Sequence, residues 1–202
     1  HKEYRRQRQM CIRDSLKTLR PSLADARSVA DVLRVVRDAA RTTPPGDYIV
    51  TMPVGAPPHY FGGAAQLAEG RLPTRQELDA AAPDHPVYIP APFGNWGKPP
   101  GTAALNSLAL ARNGITPDSR PQCAGIVLKR DAAGQLTGHI VEHNSRPAVE
   151  FDLLADVPRF GFADRLKGLR VSQRQYHAKG TTSIYEGPVS YTHLTLPTIL
   201  LV

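Results

Sequence analysis

Apolar residues recur at helical spacing in the segment 28–40. Four of them stand at positions i, i+3, i+4 and i+7: Val29, Val32, Leu33 and Val36. This spacing places them on one face of a helix, and Ser28 before the first of them is a typical N-cap residue. The pattern therefore predicts an amphipathic helix over residues 28–40.

Two further helices are predicted in the middle of the chain. Thr74 opens the first, because Glu77 three residues later completes a capping box. The second covers Thr102–Asn113, an Ala- and Leu-rich stretch that stops at Gly114. The Gly-, Ala- and Pro-rich residues between these elements are typical of loops.

Short extended segments separate these helices. Strands are predicted at Asp47–Val54 and Val87–Ile89. Two longer extended runs, Gly125–Arg130 and Gln135–Glu142, flank the segment 131–134, which ends in glycine. Two extended runs around such a turn predict a β-hairpin.

The last predicted elements are a helix followed directly by a strand. The helix covers Phe162–Lys179, with Phe162, Leu166 and Leu169 on one face, and the strand covers Thr181–Tyr185. A helix, a glycine and a short apolar strand in this order are typical of α/β units. We therefore predict an α/β fold.

Both ends of the chain read as translated sequencing-library adapter. Val189–Thr198 back-translates to the read-through of a transposase-type adapter, and Arg5–Asp14 back-translates to the same adapter on the opposite strand. Such scars are set aside before fold is considered. We therefore predict that residues 1–15 and 188–202 are adapter-derived and disordered, and that residues 16–187 are a piece of a longer natural protein.

Setting these ends aside lowers the net charge. The whole chain has 25 Lys and Arg, 18 Asp and Glu and a formal net charge of +7. Residues 1–15 hold five of the cations and two of the anions, so 20 basic and 16 acidic residues remain, a net charge of +4. The basic run Arg5–Arg8 is therefore not interpreted as a nucleic-acid arm, and we expect no nucleic-acid partner.

Composition also excludes several classes of protein. Within 16–187 only Cys123 remains, and one cysteine allows neither an internal disulfide nor a Cys-based zinc site. No run approaches the roughly 20 apolar residues of a spanning helix, so we expect no membrane partner. We expect a cytoplasmic protein, with secretion left open because the natural N-terminus would precede this segment.

One motif suggests zinc chemistry. The segment His139–His143 matches the H-x-x-E-H signature of zinc proteases. That chemistry needs a helix, which places the two histidines on one face. Here the motif falls on the return strand of the predicted hairpin, where four residues span about 13 Å. A zinc protease is therefore a remote alternative that requires residues 139–143 to be helical.

Several segments resemble the family 3 branch of the amidohydrolase superfamily, the N-substituted formamide deformylase-like enzymes. Leu72–Asp79 with Asp84–Val87 resembles the family's L-P-T-R-x-x-L-D … D-H-P-V pattern, and Asn106–Leu110 with Gly114-Ile115 resembles N-S-x-A-L … G-I. Three further segments share shorter motifs: Thr43–Val50, Gly134–Glu142 and Gly180–Ile184. Their order and spacing hold across almost all of residues 16–187.

The resemblance implies a metal-dependent hydrolase on a (β/α)8 barrel. In that superfamily a divalent metal, held by His and carboxylate ligands, activates a water that attacks an amide or related C–N bond. The expected metal is zinc and the expected substrate is a small amide-type molecule. The chain would be a partial barrel, with an inserted α+β region over 16–157 that includes the hairpin, and a helix and strand returning to the barrel over 158–187.

The resemblance also decides which site residues to expect. The family's metal ligands lie upstream and downstream of this segment, so no metal is expected to bind it and no catalytic residue is assigned. Asn106, Glu142 and Glu186 are expected to lie nearest the substrate pocket. Glu186 directly follows a predicted strand, where α/β barrels place site residues, whereas Asn106 by itself is typical of a helix start with a buried amide.

One departure from the family pattern motivates a second hypothesis. The family often has a substrate-facing His five residues before this Asn, and Gly101 occupies that place here. The alternative is a non-catalytic relative that serves as a binding or interaction module. On either hypothesis we expect the 202-residue chain to lack hydrolase activity and to expose apolar surface, because Thr181–Tyr185 has lost its neighbouring strands.

Overall fold

The computed structural model describes most of the central part of the chain. The described residues are 19–56, 60, 63–92, 100–144 and 148–180. The predicted strand Thr181–Tyr185 and the candidate Glu186 lie outside them, as do the two end segments 1–15 and 188–202.

The first helix, α1, covers Val29–Ala40 and begins where the sequence predicts. The side chain of Ser28 accepts a hydrogen bond from Asp31 N at 3.2 Å, which confirms the N-cap. Three of the four residues predicted to share its apolar face are buried, and Leu33 is half-buried. The predicted face of α1 is therefore the one that packs against the core.

The second helix, α2, covers Arg75–Ala81 and starts at the predicted capping box. Glu77 N donates to Thr74 Oγ1 at 3.4 Å, and Thr74 N donates to Glu77 Oε2 at 2.7 Å. Arg71 adds a bidentate pair to the same carboxylate, with N–O distances of 2.7 and 3.0 Å. The hydrogen bonds from Arg71, and then those from Thr74, lower the pKa of Glu77 to about 2.

We expect this carboxylate to make stability depend on pH in acid. The pKa of Glu77 is lower in the folded chain than its ordinary value of 4.5, so ionised Glu77 stabilises the fold above that value, and its contribution is lost as the pH falls to about 2. Glu77→Gln should lower the free energy of unfolding at neutral pH by about 1 kcal/mol, because hydrogen bonds to charged groups contribute about 1.5–3 kcal/mol and solvent screens this partly exposed pair.

Urea unfolding at a series of pH values measures this effect. The deficit of Glu77→Gln should shrink as the pH approaches 2. Asp38→Asn is the matched control, because Asp38 forms an exposed ion pair with Arg41 at 3.1 Å and such pairs contribute little. A deficit for Glu77→Gln that stays constant across this pH range would contradict the prediction.

Among the described residues, five strands form one sheet in the order β1-β2-β3-β5-β4. Their bounds are β1 Ile49–Val50, β2 Val87–Ile89, β3 Gly101–Leu105, β4 Ile126–Arg130 and β5 Leu136–Glu142. β1 and β2 are parallel, whereas the other neighbouring pairs are antiparallel. A 3-10 turn over Gly63–Gln66 lies between β1 and α2.

The strand β3 corrects the prediction of a helix over Thr102–Asn113. The structure has an extended segment up to Leu105, and only then the helix α3, Ser107–Arg112. Alanine and leucine favour helix locally, but β3 lies between β2 and β5 and pairs with both. Tertiary pairing therefore overrides the local preference.

The predicted strand Asp47–Val54 is also shorter than expected. The strand is confined to Ile49–Val50, and Thr51 N also donates to Tyr88 O of β2 at 3.1 Å. Beyond it, Met52 N donates to Pro21 O at 2.8 Å and Val54 forms a parallel bridge with Leu23. The extended segment thus leaves the sheet and pairs with an earlier part of the chain.

The predicted hairpin is confirmed as β4 and β5. Asp131 closes its turn, because Asp131 N donates to Gln135 O at 2.8 Å. The carboxylate of Asp131 accepts hydrogen bonds from Ala133 N and Gln135 N, both at 2.9 Å. The segment that carries the H-x-x-E-H motif is therefore extended.

The sheet separates two hydrophobic cores. Side chains alternate between the faces of a strand, so Val87 and Ile89 pack with α1 and α2 on one face, while Tyr88 packs with α3 on the other. All three residues of β2 are buried. Helices therefore cover both faces of the sheet, which agrees with the predicted α/β class; the partial barrel remains a prediction.

In the part of the chain that the structure describes, two helices follow the sheet, α4 at Val149–Asp152 and α5 at Phe162–His177. The predicted extent of α5 is nearly correct, but its predicted apolar face is wrong at the first position. Phe162 is 68 % exposed, whereas Leu166 and Leu169 are half-buried. Helical spacing predicts only the direction in which a side chain points from the helix axis. It does not predict where along α5 the packing begins, and Phe162 lies before that point.

Phe151 on α4 is also exposed, at 75 %. Leu108 on α3 and Val127 on β4 are exposed to a smaller extent, at 39 % and 42 %. The exposure expected around Thr181–Tyr185 remains a prediction, because that segment lies outside the described residues. Within the part of the chain that the structure describes, no helix is long and apolar enough to cross a membrane.

Candidate functional site

Asn106 lies between β3 and α3 and is 1 % exposed. Its Oδ1 accepts hydrogen bonds from Ala109 N at 3.0 Å and from Val87 N at 2.9 Å. Its Nδ2 donates to the carbonyl oxygen of His85 at 2.8 Å. One side chain therefore caps α3 and ties it to the beginning of β2.

These bonds limit what else Asn106 can do. A primary amide makes at most four hydrogen bonds, and the backbone takes three of those of Asn106. The interpretation of Asn106 as a buried amide at a helix start is confirmed. Its proposed place beside the substrate pocket remains a prediction.

His85 is a buried residue that was not among the predicted site residues. It is 5 % exposed, and its Nδ1 lies 3.1 Å from Asp47 O. Its own carbonyl oxygen is the acceptor for Asn106. His85 therefore connects the entry to β1 with the start of α3, and the D-H-P-V motif in which it lies was the available sequence signal.

Glu142 is the last residue of β5 and is 6 % exposed. Its Oε1 accepts a hydrogen bond from Ala148 N, directly before α4. The register of β3 and β5 places Gly101 opposite Glu142. Glu142 thus anchors the start of α4 to the sheet, next to the position that the resemblance marks as substrate-facing.

The structure does not bring Asn106 and Glu142 together. Glu142 pairs with the first residue of β3, Gly101, whereas Asn106 follows its last residue. Five residues of strand span about 17 Å. The two candidates therefore lie at opposite ends of β3, and the third, Glu186, lies outside the described residues.

Polar groups gather around the buried Tyr88, and we call Tyr88, Glu150, Glu142 and Arg20 the Tyr88 cluster; Glu142 is also buried, whereas Glu150 and Arg20 are half-buried. Tyr88 is 2 % exposed and its hydroxyl donates to Glu150 Oε1 at 3.2 Å. Burial, and then the charge of Glu150, raises the pKa of Tyr88 well above its ordinary value. Tyr88 is therefore a neutral hydrogen-bond donor.

Arg20 supplies the positive charge of this cluster. Burial lowers its pKa, and the charge of Glu150 opposes that effect. Its Nη2 donates to Pro158 O at 2.9 Å, and its guanidinium carbon lies 4.0 Å from the ring centre of Phe160. Arg20 thus holds the segment before α5 against the rest of the chain.

The Tyr88 cluster is suited to positioning rather than to acid-base chemistry. The near-complete burial of the Tyr88 hydroxyl closes it to a substrate in this conformation. The Tyr88–Glu150 bond instead ties α4 to β2, while Glu142 ties α4 to β5. Two contacts on different strands therefore fix the place of this short helix.

The H-x-x-E-H motif does not form a zinc site. Residues 139–142 belong to β5, so His139 and Glu142 point to opposite faces of the sheet. His139 Nε2 lies 2.8 Å from Pro73 O, and His143 is exposed. The zinc protease hypothesis required a helix here and is therefore wrong.

The described residues do not fit a metal ion. No group of three or more His, Cys, Asp or Glu side chains that could hold one occurs among them. His85, His139 and Glu142 each have a polar contact with the backbone. A complete set of metal ligands is therefore not present among the described residues.

The sequence itself carries the family assignment. The profile of the amidohydrolase family, in its third branch, matches residues 14–195, which is most of the chain. The chain belongs to this amidohydrolase family. The match runs past both ends of the predicted insert 16–187, so those boundaries remain a prediction.

A curated relative and two solved structures are also similar to this amidohydrolase chain. N-substituted formamide deformylase from Arthrobacter pascens is 32 % identical over 129 residues, which cover 64 % of this chain and 20 % of the relative. The chain therefore spans about a fifth of that relative's length.

The two crystal structures are of uncharacterised metal-dependent hydrolases. The one from Pyrococcus furiosus is 17 % identical with a TM-score of 0.45, and the match covers 87 % of this chain and 30 % of that one. The one from Pyrococcus horikoshii OT3 is 19 % identical with a TM-score of 0.47, covering 87 % and 29 %. The family assignment rests on the sequence match and not on these two structures.

Proposed function

We propose that this chain is part of a metal-dependent hydrolase that cleaves non-peptide, amide-type C–N bonds in small molecules. The observation that carries the proposal is the family match over residues 14–195. The relative from Arthrobacter pascens, a formamide deformylase by name, supports the bond type. A divalent metal, with zinc as the expected one, is the proposed cofactor, and neither nucleic acid nor membrane is a proposed partner.

Within that protein, the described residues would serve as scaffold. They do not bring together a set of metal ligands, and the buried side chains of Asn106 and Glu142 hold backbone groups. The contribution we propose for them is to fix α3 and α4 on the sheet. Chemistry would then depend on residues outside this described part.

We expect the full-length protein to hydrolyse an N-substituted formamide in a metal-dependent way. Activity should be lost after dialysis against a chelator and restored when zinc is added back, because the metal is the proposed cofactor. Release of amine and formate measures the reaction. The 202-residue chain, assayed at equal concentration with zinc, should show no turnover.

Three outcomes would contradict this proposal. They are turnover by the full-length protein that is unaffected by metal removal, turnover by the 202-residue chain alone, and a full-length gene without an H-x-H motif upstream of this segment. The first outcome would contradict the proposed metal cofactor. The second would contradict the scaffold role of the described residues, and the third would contradict the expected metal ligands upstream.

A second candidate function is a non-catalytic relative, and Gly101 is the observation that favours it. A Cβ at Gly101 would come within 3.2 Å of the Ala91 Cβ. The substrate-facing histidine of the family would therefore not fit here unless Ala91 moved. A full-length protein that is well folded, free of metal and inactive on formamides would support this alternative.

A further inference from the structure

Asn113 and Gly114 form the C-terminal end of α3 and are the chain's one Asn-Gly pair. Glycine has no side chain to shield its backbone nitrogen, so that nitrogen can approach the side-chain amide carbon of the preceding asparagine. An Asn-Gly pair is for this reason chemically labile wherever its backbone is free to move.

In the folded chain the Asn113 side chain is held at three points. Its Nδ2 donates to Tyr48 Oη at 2.9 Å and to Ala109 O at 2.8 Å. Its Oδ1 accepts from Asp156 N at 3.0 Å. This half-buried amide therefore joins α3 to the entry of β1 and to the segment that follows α4.

The attacking nitrogen is held as well. Gly114 N donates to Ala111 O at 3.0 Å, and Gly114 has a φ of +64°. Both the nucleophile and the amide it would attack are thus fixed by separate hydrogen bonds. Attack requires several of these bonds to break together, which happens only when this corner of the fold opens.

We propose that Asn113-Gly114 is a deamidation site that the fold protects, and that its modification prevents this corner from closing again. In the reaction Gly114 N forms a bond to Asn113 Cγ, and the bond from Cγ to Nδ2 breaks. Ammonia leaves and takes up the proton that Gly114 N gives up, which produces a succinimide. Water then opens either carbonyl of the succinimide and yields aspartate or isoaspartate.

The product fits the closed corner poorly. At position 113 a carboxylate oxygen would replace the Nδ2 donor and would face the carbonyl oxygen of Ala109. The carboxylate would also be close to Asp156, whose negative charge acts on the phenol of Tyr48. Burial first, and then the charge of Asp156, raises the pKa of Tyr48 to about 12. Isoaspartate would in addition lengthen the backbone at the end of α3.

The first test follows deamidation of the 202-residue chain in mildly alkaline buffer, with and without denaturant, by peptide mass mapping. We expect the rate at Asn113 to be at least ~10-fold lower in the folded chain, since only the opened population reacts. Asn106 and Asn144, each followed by serine, are internal references. Tyr48→Phe removes one of the three contacts and should raise the folded-state rate while the rate in denaturant stays unchanged.

The second test asks whether the modified corner closes. Asn113→Asp should unfold at a lower denaturant concentration than the unmodified chain, whereas the matched control Asn144→Asp, which loses one bond to Ala124 O, should change less. Equal rates at Asn113 with and without denaturant would overturn the protection. Equal stability of Asn113→Asp and the unmodified chain would overturn the second half of the proposal.

Discussion

Replacing Asn106 by alanine is expected to lower the free energy of unfolding by about 3–7 kcal/mol. Loss of an N-cap costs about 1 kcal/mol, and a buried polar group left without its partner costs about 1–3 kcal/mol. Asn106→Ala leaves two such groups, Val87 N and the His85 carbonyl oxygen, in a site that is 1 % exposed. The cost is therefore expected to exceed that of an ordinary helix cap several times.

Urea unfolding measures this cost, and Ser28→Ala provides the matched control. Ser28 also caps a helix: its hydroxyl accepts from Asp31 N and donates to Asp31 Oδ2, but its side chain does not bond to a strand. The difference between the two variants then isolates the bonds of Asn106 to His85 and Val87. If both variants lose the same free energy, Asn106 is only a cap and the link to β2 contributes nothing.

Replacing Gly138 by alanine is expected to have an effect of similar size for a different reason. Gly138 lies within β5 at a φ of +90°, where L side chains are strained. A Cβ there would lie 2.3 Å from Leu105 O and 2.9 Å from Arg75 Cβ. Backbone strain of about 1–2 kcal/mol and overpacking of about 1–3 kcal/mol together predict a loss of about 2–5 kcal/mol.

Gly134→Ala is the matched control, because it lies in the turn of the same hairpin at a φ of +78° with nothing within 4 Å of its Cβ position. It should lose only the strain, about 1–2 kcal/mol. Unfolding of both variants in urea separates strain from collision. Equal losses would show that Leu105 and Arg75 move aside without cost.

The elements that the sequence predicted well are those whose signal is local. The cap at Ser28, the capping box of Thr74 and Glu77, and the turn closed by Asp131 each involve residues within four positions of one another. Local hydrogen bonds of this kind depend little on the rest of the fold. Pattern and chemistry therefore sufficed for α1, α2 and the hairpin.

What could not be predicted depends on contacts between distant segments. β3 is extended because it lies between β2 and β5. Ala103 of β3 pairs with Ile140 of β5, which lies 37 positions later in the chain. The contact of Glu142 with Ala148 and that of Tyr88 with Glu150 also depend on where α4 packs. Of the candidate site, the sequence indicated a buried amide at Asn106, but not that β3 separates Asn106 from Glu142.

The hydroxyl of Tyr88 also helps to set the register in which β2 pairs with its neighbouring strands. β2 is buried on both faces, so hydrophobicity alone would tolerate a shift of one residue in its pairing. Such a slip turns every side chain to the other face, and would move the phenol into the aliphatic core beside α1 and α2, away from Glu150. An unpaired buried hydroxyl costs about 1–3 kcal/mol. The hydroxyl of Tyr88 therefore disfavours a β2 that is shifted by one residue relative to its neighbours.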